Sequence, residues 1–379
     1  MHRLRIAFAA LGDADDRALW SGTPSSIVRE LREFGVDVVT VDARSPADKA
    51  ILNVIALPRV ILGLRKHGLR AGLHRERGIA QHSIALARAR TRTVNRKLRR
   101  CGPLDGVVQI GTDFLISHPN TVSYEDMTVA QALQWPEAFW DEVPRRVKKA
   151  RLDQQSKAYR NNRAAAFTTH WAARSAIAEL GCSPSKVHVL GVGANHVADA
   201  TQKRDWSVPR FLFVGRDWER KNGPMTVEAF AEVRKTFPLA ELHLTGHHDP
   251  VSAPGVTDHG HLKLGVPEHQ QTLLDLWATS TCLVVPSRFE ATGVVYVEAM
   301  YAGIPSIGTT RGGASDVIGD AGLAVDPTAA DVLVSAMQTF CNPAVASEAG
   351  RRARQRSSQF SWKRVAAGLI EALDLPGGS

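Results

Sequence analysis

Glu290 and Glu298 lie eight positions apart in RFEATGVVYVEAM, residues 288 to 300, with Gly293 and a run of β-branched residues between them. On one continuous helix the two carboxylates would point roughly 80° apart and sit about 12 Å from each other, too poorly aligned for one acid/base pair. The pair has to be read in its surroundings. Upstream, TCLVVPS is apolar enough to be a buried strand ending at Ser287, which leaves RFEAT as a connecting loop. Downstream, Gly303 supplies a left-handed cap and Pro305 blocks continuation. A helix starting near Thr292 or Gly293 fits between, although Val294, Val295, Tyr296 and Val297 disfavour it on propensity and only tertiary burial can override that. Glu290 then stands at the carboxyl end of a strand and Glu298 about a turn and a half into the helix. The amides of Gly293, Val294 and Val295 head that helix, an arrangement suited to phosphate oxygens, and Gly293 allows a ligand to approach closely. The chemistry this suggests is a carboxylate for sugar hydroxyls, an anion cradle, and a second carboxylate for a ribose. Two surface glutamates and a helix cap are the plainer reading.

A second constellation, FLFVGRDWERKNGP, follows another buried strand and offers Arg216, Arg220 and Lys221 in a polar turn. Cations at a strand's carboxyl end could neutralise a diphosphate leaving group. Alone, a charged turn is usually solvated; its weight comes from its order and distance relative to the glutamates. No Gly-x-Ser-x-Gly and no P-loop occurs. The Asp-x-Asp at 13 to 15 reads as a turn and GHHD at 246 to 249 as a loop without further ligands nearby, so no metal site is expected.

The elements that must hold these groups form two series of strand and helix signals, separated near residues 198 to 207. The first opens with RLRIAFAAL, whose basic start and apolar core resemble a signal peptide but run straight into acidic residues, so a first strand is the better reading. It continues through WSGTPSS, IVRELREFG and VDVVTVD, a long basic helical region, then DGVVQIGT, NTVSYED, RAAAFTT and KVHVLGVG. The second series runs from RFLFVG through ELHLTG, PEHQQTLLDLWATS, TCLVVPS, IPSIGTT and AGLAVDP to ADVLVSAMQTF. Such alternation predicts parallel sheets with helices on both faces, and two such domains would face each other across a cleft where ligands collect. The domain reading is 1–200, 201–358, and an amphipathic C-terminal helix, 359–379, packing back toward the first domain.

The 379 residues suffice for two domains with their own cores, and no stretch is long and apolar enough to span a bilayer as a helix. Cys101, Cys182, Cys282 and Cys341 have neither metal-ligand nor disulfide-framework spacing, which favours a reducing compartment and a cytoplasmic location. The net charge of +9 is concentrated: between Arg59 and Arg100 there are thirteen Lys or Arg against one acid, Glu76. Such a field attracts phosphate, on a lipid headgroup or a soluble acceptor, so peripheral attachment at the inner face of a membrane through 59–100 is one expectation, and a solvated helical face the plainer one. The segment has no aromatic residue, which removes the stacking platform of a single-strand nucleic-acid binder.

With VGRDWERKNG, LTG, VVPSRFEATGVVYVEAMYAGIPSIGTTRGGASDVI and GLAVDP in this order, residues 163 to 330 resemble the retaining glycosyltransferases of family 4, the group 1 glycosyl transferases of GT-B fold. The resemblance implies an α/β fold of two facing Rossmann-like, doubly wound parallel-sheet domains. It implies transfer of a sugar from a UDP- or GDP-sugar to an acceptor hydroxyl with retention, without metal or other cofactor. Carried over residue by residue, it assigns Arg216 and Lys221 to the donor diphosphate and Glu290 to the donor sugar. Gly293, Val294 and Val295 would meet phosphate or sugar, Glu298 the ribose, and Gly22 of WSGTPSS the first-domain loop near donor phosphate and acceptor. The catalytic position usually held by histidine falls on Asp126 in VSYEDMT, a departure from the pattern, with His118 and Glu125 as neighbours. A sugar-nucleotide epimerase or a phosphorylase of the same architecture, and a non-catalytic basic protein binding nucleic acid or membranes, are the competing expectations.

Overall fold

The computed structural model describes residues 3–67, 69–135, 137–196, 204–263 and 265–375; the side chains of 59–71 and 137–139 lie outside that description. The chain divides into two compact units, Met1–Leu190 with Trp362–Ser379, and Gly191–Ser361.

In the first unit the strands are β1 (Arg5–Ala10), β2 (Asp37–Asp42), β3 (Gly106–Ile110), β4 (Thr121–Glu125), β5 (Ala164–Phe167) and β6 (Val187–Val189). They pair in parallel in the order β2-β1-β3-β4-β5-β6. The apolar opening of the chain is thus an inner strand, with Ile6 to Ala10 buried. The helices are α1 (Thr23–Glu33), α2 (Asp48–His67), α3 (Leu69–Ala80), α4 (Ile84–Arg100), α5 (Val129–Ala132), α6 (Arg145–Asn161) and α7 (His170–Ala178). The basic region is helical because its apolar positions recur at helical spacing. In α4, Val94 and Leu98 pack on Ala7, Ala9 and Val107 of the sheet, which leaves Arg88, Arg92, Arg96, Arg99 and Arg100 outward, while Arg90 pairs with Asp48 at 2.9 Å.

The second unit carries β7 (Arg210–Gly215), α8 (Gly223–Thr236), β8 (Glu241–Gly246), β9 (Val256–Asp258), α9 (Pro267–Thr279), β10 (Cys282–Val284), α10 (Val294–Ala302), β11 (Ser306–Thr309), α11 (Ala314–Ile318), β12 (Gly322–Val325), α12 (Ala330–Thr339) and α13 (Pro343–Ser357). Its sheet, also parallel throughout, runs β12-β11-β10-β7-β8-β9. The last helix, α14 (Trp362–Ala372), belongs to the first unit. There Asn120 Nδ2 donates to the Leu373 carbonyl at 3.0 Å, and Gly368 lies so close to Leu190 that an added Cβ would meet it at 2.5 Å. The edge strand β9 has no apolar run to announce it in the sequence.

Both strand orders contain a reversal. In the first unit the loops after β1 and β3 leave in opposite directions, and in the second those after β7 and β10 do. At such switch points the carboxyl ends of neighbouring strands open a crevice, the usual ligand position in open α/β sheets.

Candidate functional site

The second unit's switch point brings both sequence motifs together. Residues 216–222 follow β7 and residues 285–293 follow β10, whose strands pair at Leu283 and Leu212. Asn222 adopts a left-handed conformation at the start of α8, and its amide donates to the carbonyls of Pro286 (3.2 Å) and Pro327 (2.8 Å), tying the first loop to the second. The Arg288 amide closes the other side on the Arg220 carbonyl at 2.8 Å.

Between these ties the buried side chains of Lys221 and Glu290 form a hydrogen-bonded ion pair on Glu290 Oε2. The same oxygen accepts from Ser287 Oγ at 3.2 Å and lies 3.5 Å from the Arg220 guanidinium, which itself donates to the Phe289 carbonyl at 3.0 Å. Burial pushes the Glu290 carboxyl up, but Lys221 and then Arg220 outweigh burial and hold it below its ordinary value. The carboxylate is therefore ionised and oriented. Arg216 is exposed at the end of β7. It neighbours His261, whose imidazole is lowered by burial and then by His247 and Arg216. Lys221 thus touches Glu290, Arg216 stands off at the rim, and Arg220, named only as a member of the charged turn, closes the pair.

The helix beyond starts at Val294 after Gly293 (φ 81°, ψ 76°) and stops at left-handed Gly303. Gly293 is required by both conformation and space, since an added Cβ would meet the Tyr296 ring at 2.4 Å. Tyr296 is fixed in turn by its hydroxyl, which donates to the Val285 carbonyl at 2.7 Å. Among the described residues no backbone carbonyl accepts from the amides of Gly293, Val294 or Val295, so they remain available to an anion. Glu298, also buried, has a partner the sequence does not disclose: its Oε1 accepts from the backbone amides of Asn195 (3.3 Å) and His196 (3.2 Å). Burial raises this carboxyl to about 7 against the opposing pull of those amides and Lys221. Arg204 also meets α10: its guanidinium donates to the carbonyls of Ala302 (3.0 Å), Gly303 (3.3 Å) and Trp277 (2.8 Å). That cation caps the carboxyl ends of α9 and α10, and burial lowers it to about 10.

In the first unit, Trp20 (φ 46°) and Ser21 (φ 51°) precede Gly22 (φ 82°), all three left-handed, in the loop after β1. The Trp20 ring lies over Gly111 at the end of β3, where an added Cβ would be 3.8 Å from it. Conformations this costly for Trp and Ser are held only where surrounding structure over-determines them, and they cluster at functional sites. Asp126 is half-buried in the bend just past β4. Glu125 is buried and turned into the unit: Oε2 accepts from Thr112 Oγ1 (3.0 Å) and Gln155 Nε2 (2.6 Å). Burial raises it to about 7. His118 bonds the carbonyls of Asn120 (3.0 Å) and Leu104 (3.3 Å) ahead of β4, at the opposite end of the strand. Of the three, Asp126 alone sits partly open at the carboxyl edge.

Among the described residues no group of three or more His, Cys, Asp or Glu could hold a metal ion, and no helix is long and apolar enough to cross a membrane. In GHHD, His248 packs its ring on Trp218 at 4.2 Å between centroids.

The family described as glycosyl transferases group 1 matches residues 208–342, the stretch that holds every second-unit residue of the site except the Asn195, His196 and Arg204 contacts. The chain is 26% identical over 220 residues to D-inositol 3-phosphate glycosyltransferase of Rhodococcus opacus, covering 52% of this chain and 49% of that protein. It is 30% identical over 174 residues to O-antigen chain mannosyltransferase B of Escherichia coli, covering 43% and 45%. These matches span about half the length of the curated relatives. Among solved structures, sucrose-phosphate synthase from Thermosynechococcus elongatus superposes with a TM-score of 0.65 at 18% identity, over 97% of this chain and 98% of that one. That likeness concerns the fold, the GT-B architecture of two Rossmann-like units.

Proposed function

We propose that this chain, whose residues 208–342 match the group 1 glycosyl transferases, moves a sugar from a nucleotide diphosphate sugar, UDP- or GDP-linked, to an acceptor hydroxyl with retention at the anomeric carbon. The observation that carries this reading is the buried Lys221–Glu290 pair at a strand-order reversal, next to the open amides that head α10. As the bond from the anomeric carbon to the diphosphate oxygen lengthens, negative charge grows on the leaving group and positive charge on the ring. Lys221, Arg216 and the amides of Gly293, Val294 and Val295 meet the growing negative charge at fixed positions, so little reorganisation is needed during the reaction. Glu290, kept ionised by Lys221 and Arg220, accepts hydrogen bonds from donor-sugar hydroxyls, and Glu298 accepts from the ribose. Gly22 gives the donor phosphate and acceptor close access to the first unit's loop, and Asp126 is the carboxylate that unit offers to the reacting centre. The cations present supply the charge that a metal ion would otherwise supply, so the reaction runs without one.

The acceptor in this reading is anionic or sits at an anionic surface. In α4, Arg88, Arg92, Arg96, Arg99 and Arg100 are exposed and no acid occurs in the helix, a one-sign stripe suited to phosphate headgroups.

The test is a melting-shift panel of UDP-, GDP- and ADP-sugars. A clear upward shift with a UDP- or GDP-sugar is expected, since ligand at a hundred times its Kd adds about 2.7 kcal/mol. No shift with any of them would remove the donor assignment.

A further inference from the structure

Most polar residues of α6, among them Arg145, Lys149, Asp153 and Lys157, face water, but one face of the helix does not. Arg151 and Gln155 are buried, and with Gln154 they sit one helical turn apart on a single face. Their bonds end in the loop that leaves β3 and at the two ends of the loop that leaves β4. Arg151 pairs with Asp113, Gln154 Nε2 donates to the Thr112 carbonyl at 2.7 Å, and Gln155 Nε2 donates to Thr112 Oγ1 at 2.9 Å.

Gln155 makes a further closure. Its Nε2 donates to Glu125 Oε2 at 2.6 Å, while its Oε1 accepts from the Val129 amide, also at 2.6 Å. Glu125 is the last residue of β4 and Val129 the first of α5. One buried amide therefore joins the residue before Asp126-Met127-Thr128 to the residue after it. The loop's far end is fixed again by Thr128, whose hydroxyl caps the Gln131 amide at 3.1 Å and contacts Ser175 Oγ at 2.6 Å.

We propose that this bracket sets the position of Asp126 and that Gln155 is its positioning residue, acting with Glu125 as the acceptor it is anchored to. A buried side-chain amide that spends both its oxygen and its nitrogen on loop ends is costly to place and gives the loop one geometry. Glu125 can serve in either protonation state. Oε2 takes Gln155 and Thr112, and the other side of the carboxyl lies beside the Ser123 and Tyr159 hydroxyls. A proton on that side, favoured by the burial that raises the group to about 7, leaves the bond to Gln155 in place.

This inference rests on the transferase reading and on Asp126 within it, so the experiment separates the three. Acceptor-free release of UDP from UDP-glucose and of GDP from GDP-mannose is followed for wild type, D126N, Q155A, E125A and E125Q, with thermal midpoints measured alongside. For Q155A, kcat should fall about a hundredfold, as expected for a reacting group displaced by about an ångström, with KM for the donor within about twofold. E125Q keeps an oxygen for Gln155 and should turn over at least about tenfold faster than E125A, the rescue a bracket predicts and a merely filled space does not. A Q155A kcat within about threefold of wild type, a loss confined to KM, or equal damage in E125Q and E125A overturns the proposal. Should Q155A fail to fold, the E125Q and E125A pair decides alone. Wild-type turnover in D126N removes Asp126 and the bracket's role with it, while loss in D126N with normal Q155A removes the bracket only. Absence of turnover in the wild type with either donor overturns the transferase reading and this inference together.

Discussion

Three buried carboxylates, Glu290, Glu298 and Glu125, differ in what surrounds them, and the difference sorts their roles. Two cations face Glu290 and win against burial, so it stays an acceptor for hydroxyls over the neutral range. Glu298 and Glu125 have amides and hydroxyls around them and titrate near 7. For Glu125 the folded value lies above the ordinary carboxyl value of 4.5. Its contribution to stability is therefore fully present below about pH 4.5 and lost as pH rises through about 7. The groups turned toward it are Tyr159 of α6 and, at longer range, Cys182, both raised chiefly by burial. Glu125→Gln should remove this decline, worth on the order of 3 kcal/mol, from chemical-denaturation free energies measured at pH 5, 6, 7 and 8. A mutant curve parallel to wild type across that window would show that Glu125 does not titrate there.

At the scale of elements, α10 gathers most of the second unit's candidate groups. Its amino end offers amides that, among the described residues, no backbone carbonyl takes up, its middle holds Glu298, and Arg204 caps its carboxyl end. Gly293→Ala would force a left-handed conformation on a residue with a Cβ and press that Cβ into the Tyr296 ring. A loss of about 2 kcal/mol or more is expected, read as a lowered melting midpoint together with weaker donor binding; an unchanged midpoint would contradict the packing described. The helix was legible in the sequence because Gly303 and Pro305 punctuate it, and burial overrides the propensity of Val294 to Val297, of which all but Val294 are buried. The grip of Asn195 and His196 on Glu298 was not legible: the contact joins positions about a hundred residues apart through backbone amides, which leave no mark on residue type. Nor was the α6 bracket, since RRVKKARLDQQSKAYRN reads as a solvated helix and only the fold shows that Arg151 and Gln155 point inward. Lys221 and Arg220 stood out as cations in a turn, but that Arg220 closes the pair with Glu290 while Arg216 stays at the rim depends on the path of the loop.

For the whole molecule, charge and fold divide the labour. The group 1 match covers the second unit's sheet, while the basic excess lies in α2 to α4 of the first, with the side chains of 59–71 outside the described residues. If the α4 stripe meets anionic headgroups, co-sedimentation with phosphatidylglycerol vesicles should exceed that with phosphatidylcholine and decline between 50 and 500 mM salt as screening shortens the range of attraction, on the order of 1 kcal/mol per arginine. Equal recovery with both lipids would leave the stripe as a solvated face. The diphosphate cradle we propose is built on Lys221 and the head of α10, and calorimetric titration of free UDP and GDP into wild type and Lys221→Ala tests it most directly. One of the two nucleotides should bind the wild type and lose at least about tenfold in affinity in the variant, the value of one charge-assisted hydrogen bond. Binding of equal strength to both proteins, or none to the wild type, would contradict it.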